Sequence, residues 1–327
     1  MFETILVTGG SGFIGSNLVE YLLEKYEDTR VINYSRHTYA MNPLITKHLE
    51  KNPNYEFVAG DVTDALLISN VMKENEVQLI LHLAASTHVD RSFLYPSEFL
   101  TSNLIGTFTI LEALRRMSEK DRPKLVYLST DEVFGDIPSP HKCKEDEELS
   151  PRNPYSASKA SAEMYLNAYY YSFKIPVITA RSMNNFGERQ HPEKLIAKII
   201  TRCFRNQEFT LYKGGSERGW IYVRDTCEAL DVISTEGEEN DVYNIPPNLY
   251  LSVPQVASII LRLMDKEHLF KGFVGTRLKD DERYALDGTK MIDRLKWKPK
   301  TDFEDAIKRT IEWYEKNEWF WHGVYTP

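Results

Sequence analysis

The stretch Thr8-Gly9-Gly10-Ser11-Gly12-Phe13-Ile14-Gly15-Ser16 constrains this chain more tightly than any other part of it. It joins a short apolar run, residues 5–8, to an amphipathic run, residues 14–26, so the glycines fall where a strand gives way to a helix. Gly10, Gly12 and Gly15 have G-x-G-x-x-G spacing, and Gly9, Gly12 and Gly15 also fit G-x-x-G-x-x-G. Glycine permits a tight turn and close approach of a ligand to the backbone, while the helix start offers N–H groups to a pyrophosphate. A purely structural turn is the plain alternative; position between strand and helix is what gives the motif weight.

The same rhythm continues through the first 180 residues. Apolar, β-branched runs at 30–34, 56–59, 78–83, 124–130 and 176–180 alternate with helical spacing at 64–75, 98–117 and 155–171. Near-continuous apolar strands separated by helices predict a parallel sheet covered on both faces, the doubly wound α/β (Rossmann) architecture. Beyond residue 185 the pattern changes. Helical spacing at 192–205, 253–264 and 303–316 mixes with strand-like pieces at 209–212 and 242–245. Residues 1–185 therefore read as a dinucleotide-binding domain and 186–327 as a smaller α+β substrate lobe, with 220–235 returning to the first domain. Trp313, Trp319, Phe320 and Trp321 read as core packing, and the acidic stretches 144–148 and 236–241 as solvated loops.

Composition excludes several functions. With 42% hydrophobic and 27% charged residues the chain is globular, and a net charge of −8 gives no reason to bind nucleic acid or an anionic membrane. No apolar run approaches the ~18 residues of a membrane span. A first strand so near residue 1 leaves no room for a signal peptide, and a cytoplasmic protein is expected. Cys143, Cys203 and Cys227 are odd in number and form no C-x-x-C, which supports neither a disulfide framework nor a zinc site; no metal is expected.

At the adenosine end, Ser35-Arg36 stands about twenty residues past the glycines, where an acid would accept a free ribose 2′-hydroxyl. A hydroxyl followed by a guanidinium suits a 2′-phosphate instead and favours NADP, with NAD as the alternative if Arg36 only stacks or faces solvent. Asp61 of Gly60-Asp61-Val62 is placed to accept from the adenine amino group, although Gly-Asp is also a common turn. Leu83-Ala84-Ala85 ends a strand with small residues against which a cofactor can lie. Asn103 is grouped with these contacts.

For chemistry, Tyr155-Ser156-Ala157-Ser158-Lys159 follows a helix start at Asn153-Pro154. Spacing i, i+4 sets phenol and ammonium on one helical face, where Lys⁺ and a nicotinamide charge would lower the tyrosine pKa toward a usable base. Alone, such a pair is more often a surface pair. Asp131-Glu132 follows the strand ending at Thr130, at the sheet edge where doubly wound folds bind ligands. Adjacent carboxylates can divide acid and base roles when their surroundings separate their pKa values; a solvated turn is the plain reading.

These motifs resemble the extended short-chain dehydrogenases/reductases and, within them, the nucleotide-sugar 4,6-dehydratases of the dTDP-glucose type. The resemblance spans nearly the whole chain, through His82-Leu-Ala-Ala-Ser-Thr-His-Val-Asp-Arg-Ser92, Ser129-Thr-Asp-Glu-Val-Phe-Gly135, Tyr155 to Lys159, Asn184-Asn185-Phe186-Gly187, His191-Pro-Glu-Lys-Leu-Ile196 and residues 218–225. Asp131-Glu132 is its most discriminating part, because related epimerases and decarboxylases usually lack the pair. The resemblance implies that Tyr155, aided by Thr130 and Lys159, removes the O4 proton while C4 yields hydride. Glu132 then takes the C5 proton, and a protonated Asp131 assists departure of the C6 hydroxyl. It implies a tightly bound, internally recycled NAD(P), with cofactor contacts from Gly9, Gly12, Phe13, Ile14, Gly15, Ser35, Arg36, Asp61, Val62, Leu83, Ala84, Ala85, Asn103, Tyr155 and Lys159. For the nucleotide-sugar it implies His88, Asn184, Asn185, Lys194, Tyr212, Arg218, Asn248 and Arg277, and for assembly a homodimer. Arg277-Leu-Lys-Asp-Asp281 departs from the family's Arg-Pro-Gly-His-Asp, which leaves dTDP, UDP and other bases open. A 4-epimerase or UDP-glucuronate decarboxylase of the same fold is the nearest rival. A non-catalytic dinucleotide sensor would typically have lost Tyr155 or Lys159.

Overall fold

A strand buried on both faces has no polar alternation, and this is how the central strands are built. In the computed structural model, which describes residues 2–36, 43–212, 217–275 and 281–324, β1 (Thr4–Thr8) is buried at every position. It passes through the glycine turn into α1 (Phe13–Lys25), followed by β2 (Arg30–Ser35) and β3 (Tyr55–Ala59). α2 (Ala65–Glu74) begins where the Asp64 carboxylate accepts from Leu67 N–H, and leads to β4 (Leu79–His82). Then come α3 (Val89–Leu94), α4 (Pro96–Phe99), a π-helical turn over Leu100–Ile105, α5 (Gly106–Arg115) and β5 (Lys124–Thr130). α6 (Pro154–Phe173) is started by Asn153 in a capping box with Ser156, with proline in the first turn. β6 (Val177–Ser182) follows.

The second half holds β7 (Asn184–Phe186), α7 (Leu195–Phe204), β8 (Phe209–Leu211), β9 (Arg218–Tyr222), α8 (Val223–Glu236), β10 (Val242–Asn244) and β11 (Leu249–Leu251). α9 (Val253–Met264), β12 (Phe270–Phe273), α10 (Thr289–Leu295) and α11 (Phe303–Lys316) complete the elements used below. The main sheet has strand order β3-β2-β1-β4-β5-β6-β10, and every pairing in it is parallel. The expected doubly wound sheet is present. β9 lies between β7 and β11 in a second sheet, and β8 pairs with β12.

Two expectations change. Residues 242–245 were grouped with the second lobe, yet β10 is the edge strand of the main sheet, paired with Thr179–Arg181 and burying Tyr243 completely. A three-residue strand carries no local mark of which sheet it joins. The helix expected over 98–117 is interrupted by the π turn, which sets Ser102 and Asn103 inward while Leu100 and Ile105 stay exposed. α8 packs on α1, β5 and β6. Phe320 and Trp321 are buried, whereas Trp319 is 46% exposed.

Candidate active site

The order of the sheet reverses between β1 and β4, and their C-terminal ends carry the glycine turn and Leu83-Ala84-Ala85. Gly9 has φ +72°, and a Cβ on it would lie 2.8 Å from the backbone of Ala84. A Cβ on Gly15 would lie 2.1 Å from the Gly9 carbonyl oxygen, so strand, turn and helix are as close as backbone allows. Gly12 precedes α1 without any side-chain cap, so the first-turn N–H groups of Phe13, Ile14 and Gly15 face the cleft uncapped. This cradle fits a dinucleotide pyrophosphate.

At the adenosine end both side chains expected to meet a 2′-phosphate have partners within the protein. Ser35 is 5% exposed; its hydroxyl donates to Asn33 Oδ1 (2.8 Å) and accepts from Ser11 N–H (3.0 Å). Arg36 Nη1 donates to Asp61 Oδ2 (2.6 Å) and Nη2 to Ser102 Oγ (3.0 Å). Asp61 also accepts from the N–H and hydroxyl of Thr63. These bonds outweigh its desolvation and hold its carboxyl below the usual range. Val62 is buried against Gly106. Asn103 is a clamp: its Oδ1 accepts from Ser86 N–H (2.8 Å), and its Nδ2 donates to Ser86 O (3.0 Å) and Ser158 Oγ (2.9 Å).

β5 ends at the residues expected to carry the chemistry. Thr130 Oγ1 donates to Asp131 Oδ1 (3.0 Å) and also hydrogen-bonds the Tyr155 phenol. Asp131 is 4% exposed, and its Oδ2 is buried without a hydrogen-bond partner among the described residues. Burial, then the charge of Glu132, raises its pKa to about 7. Desolvation also raises Glu132, against the Asn153 Nδ2 hydrogen bond to its Oε2 (3.0 Å) and the charges of Arg218 and Lys194. Tyr155 departs from expectation. Burial and the two carboxylates hold its phenol well above the usual value. Lys159 donates to Leu128 O (2.6 Å) over the Tyr127 ring at 4.0 Å, and burial lowers its pKa to about 7. Burial and the two carboxylates thus oppose the phenolate, against the Thr130 hydrogen bond that favours it.

The expected nucleotide-sugar residues divide. Arg218 and Lys194 act electrostatically on Glu132, and Arg218 lies over the Tyr284 ring at 4.6 Å while donating to Asp281 O (2.9 Å). His88 starts α3 and its Nε2 lies 3.6 Å from Glu193. Asn184 donates to Gly219 O (3.3 Å), and Tyr212 is 57% exposed at the end of β8. Asn185 and Asn248 are committed internally: Asn185 bonds Ser182, Met183 and Thr226, and Asn248 bonds Tyr222 N–H, Asp225 and Thr301. Arg277 lies outside the described residues. Three neighbours of the acid pair escaped the sequence reading. Asn153 was legible only as a helix start, while Tyr284 and Asp281, joined by a 2.7 Å bond, reach Glu132 only through the fold.

Residues 6–310 match the family described as GDP-mannose 4,6 dehydratase. The chain is 40% identical to the low-salt glycan biosynthesis protein Agl12 of Haloferax volcanii, covering 95% of this chain and 98% of the relative. It is 36% identical to a dTDP-glucose 4,6-dehydratase of Escherichia coli, covering 98% and 96%. The crystal structure of dTDP-glucose 4,6-dehydratase from Bacillus anthracis in complex with NAD superposes with a TM-score of 0.89 at 39% identity, covering 98% of both chains.

The raised Asp131 pKa has a consequence for stability. Between the ordinary carboxylate value and about 7, the folded protein keeps a proton that the unfolded chain releases, so this residue makes stability fall as pH rises. Asp131→Asn removes that loss. Its stability relative to the unchanged protein should grow by about 2–4 kcal/mol between pH 4 and pH 8 in urea denaturation. A difference that stays flat over the range would show that Asp131 is not held protonated.

Proposed function

The chain belongs to the GDP-mannose 4,6-dehydratase family and is a nucleotide-sugar 4,6-dehydratase, and on that premise we propose that it acts on dTDP-glucose with NAD, as a cytoplasmic homodimer. The observation that carries the residue assignment is the paired acid at the end of β5. One carboxyl is buried, inclined to keep its proton and left with an unpartnered oxygen; its neighbour is anchored by Asn153 and faced by cations. Epimerisation has no use for this pair, whereas water elimination needs both an acid and a base.

A bound nicotinamide dinucleotide supplies a hydride acceptor at C4 and later a hydride donor at C6, so the reaction has no net redox change. Tyr155 accepts the proton of the sugar O4, with Thr130 hydrogen-bonded to the phenol. Once C4 is a ketone the C5 hydrogen is acidic, and Glu132 removes it. Asp131 gives its proton to the C6 hydroxyl, which leaves as water. Glu132 then returns a proton to C5. Lys159 lies one turn along the same helix from Tyr155, and its protonated form adds its charge to that of the cofactor. The sugar lies between the main-sheet lobe, which α8 and β10 rejoin, and the rest of residues 186–327, with its diphosphate toward Arg218 and Lys194; guanidinium and ammonium suit that charge.

NAD is favoured over NADP because Arg36 already carries the Asp61 carboxylate, which a 2′-phosphate would have to displace. The solved Bacillus anthracis relative is a complex with NAD. Dimer formation is supported by exposed apolar residues on the π-helical turn and on the outer faces of α5 and α6. Ile105, Phe108, Met164, Tyr165 and Tyr171 are each at least 36% exposed, and the Phe108 and Tyr165 rings meet at 6.0 Å.

Three measurements test these assignments. Denatured protein should release NAD(H); release of NADP(H) would restore the phosphate reading of Ser35-Arg36. Light scattering at micromolar concentration should give twice the 38.0 kDa chain, and a monomer would rule out the pairing of α5 and α6. Incubation with dTDP-glucose should yield a product one water lighter by mass spectrometry. In Glu132→Gln and Asp131→Asn that elimination should slow ~10²–10⁴-fold. Reduced nicotinamide should then accumulate in a single turnover, whereas Tyr155→Phe should suppress that signal. Near-normal water loss in both acid variants would return the lead to an epimerase.

A further inference from the structure

The loop after β5 holds a second group of chemically active side chains that the reaction does not use. His141, Cys143 and Glu147 each turn one donor atom to a common point, and these three atoms lie within 4.8 Å of one another. Cys143 forms the floor at 3% exposure, while His141 and Glu147 form a rim open to solvent. Glu147 is the hub. Its Oε2 lies 2.7 Å from His141 Nε2, its Oε1 accepts from Lys144 N–H (2.7 Å), and it accepts the Cys143 thiol proton.

The backbone under the group is fixed. Cys143 N–H donates to Ala285 O (3.0 Å), and Cys143 O accepts from Asp287 N–H (2.8 Å). Arg283 Nη1 donates to His141 O (2.6 Å). The two guanidiniums that act electrostatically on the thiol are each paired, Arg181 with Glu163 at 2.7 Å and Arg283 with Glu217 at 3.0 Å. Lys142 is drawn aside over the Tyr250 ring at 4.5 Å. An incoming dication therefore does not meet uncompensated charge from the two guanidiniums.

We propose that His141, Cys143 and Glu147 form a zinc(II) site, with a water or other solvent ligand completing a tetrahedron on the open side. Imidazole, thiolate and carboxylate are zinc's donor types, at bond lengths of about 2.0–2.3 Å. Such bonds set donors about 3.3–3.7 Å apart in a tetrahedron, so the three atoms need move by only about 1 Å. Binding is a proton exchange without redox change. The metal takes the Glu147 oxygen and the neutral His141 nitrogen, and the thiol proton leaves to solvent as the Zn–S bond forms. The cysteine spacing pointed away from zinc because it offered no pair; His-x-Cys-x-x-x-Glu within one loop has no such signature. The stretch 144–148 is thus more than a solvated acidic loop: Glu147 faces the group, and Glu145 accepts from Asn244 N–H (3.0 Å).

The site shares no residue with the dehydratase assignment, so the two stand or fall separately. Full-length protein stripped with chelator and titrated with Co²⁺ should bind one equivalent. A thiolate-to-cobalt band should appear in the near ultraviolet and be abolished by Zn²⁺. Affinity should rise with pH, since the thiol must ionise. Cys143→Ser should lose the band, which separates this thiol from Cys203 and Cys227. His141→Ala and Glu147→Gln, at the solvent rim, should weaken binding by at least the 10–100-fold typical of an outer-shell loss. They carry the test should the buried serine variant fail to fold. No saturable uptake by the unchanged protein, or uptake that survives all three substitutions, overturns the proposal.

Discussion

A single run of buried hydrogen bonds ties the glycine turn to the catalytic helix, and the geometry of the cleft depends on it. Thr8, the last residue of β1, meets His82 Nδ1 at 2.7 Å; His82 Nε2 meets Thr107 Oγ1 at 3.0 Å. The Thr107 hydroxyl donates to Asn103 O, Asn103 Nδ2 to Ser158 Oγ, and Ser158 Oγ to the carbonyl of Tyr155. Burial lowers the His82 pKa to about 3, so the ring is neutral and has one proton to give. Thr107 has already spent its hydroxyl proton on Asn103 O, which leaves His82 Nε2 the donor and Nδ1 the acceptor from Thr8. Every member of the run is satisfied in one direction only. In a low-dielectric interior such a network fixes one arrangement, because any reversal strands a buried donor.

That rigidity matters because the electrostatics of the cleft are adverse. Asp131 and Glu132 are adjacent, desolvated acids, and both of them make the phenolate of Tyr155 harder to form. Lys159 is equally strained, buried beside an aromatic ring with a carbonyl as its close partner. A positive charge brought by a bound ligand would offset this adverse field.

Much of this was legible before any coordinates. The Gly9–Gly15 turn sets strand against helix by backbone sterics alone, and such local rules are written in short stretches. Tyr155 and Lys159 fall on one face because the helix period requires it, and Asp131-Glu132 follows directly from the end of a strand. What the sequence could not carry has a common cause. Ser35-Arg36 looked like a phosphate site because nothing local reveals that Asp61 and Asn33 claim both side chains. Asn185 and Asn248 were read as ligands, although distant backbone and side-chain groups use up their amides. Tyr284 lies far along the chain from Glu132, and only the packing of residues 281–287 against the loop after β5 brings it there. The direction of the Tyr155 shift likewise depends on burial, which a motif does not contain.

The π-helical turn over Leu100–Ile105 has a mechanical meaning. One surplus residue advances the screw of the helix by about 100° relative to an uninterrupted α-helix. Upstream, Phe99 faces the Tyr155 ring; downstream, Ile110, Leu111 and Leu114 fill the sheet-side core. Both sets are buried because the turn works as a vernier between them. Excising any one residue from the segment would swing the downstream stretch around its axis and drive Phe108 toward the interior. Length, rather than residue type, is the property on which that segment is constrained.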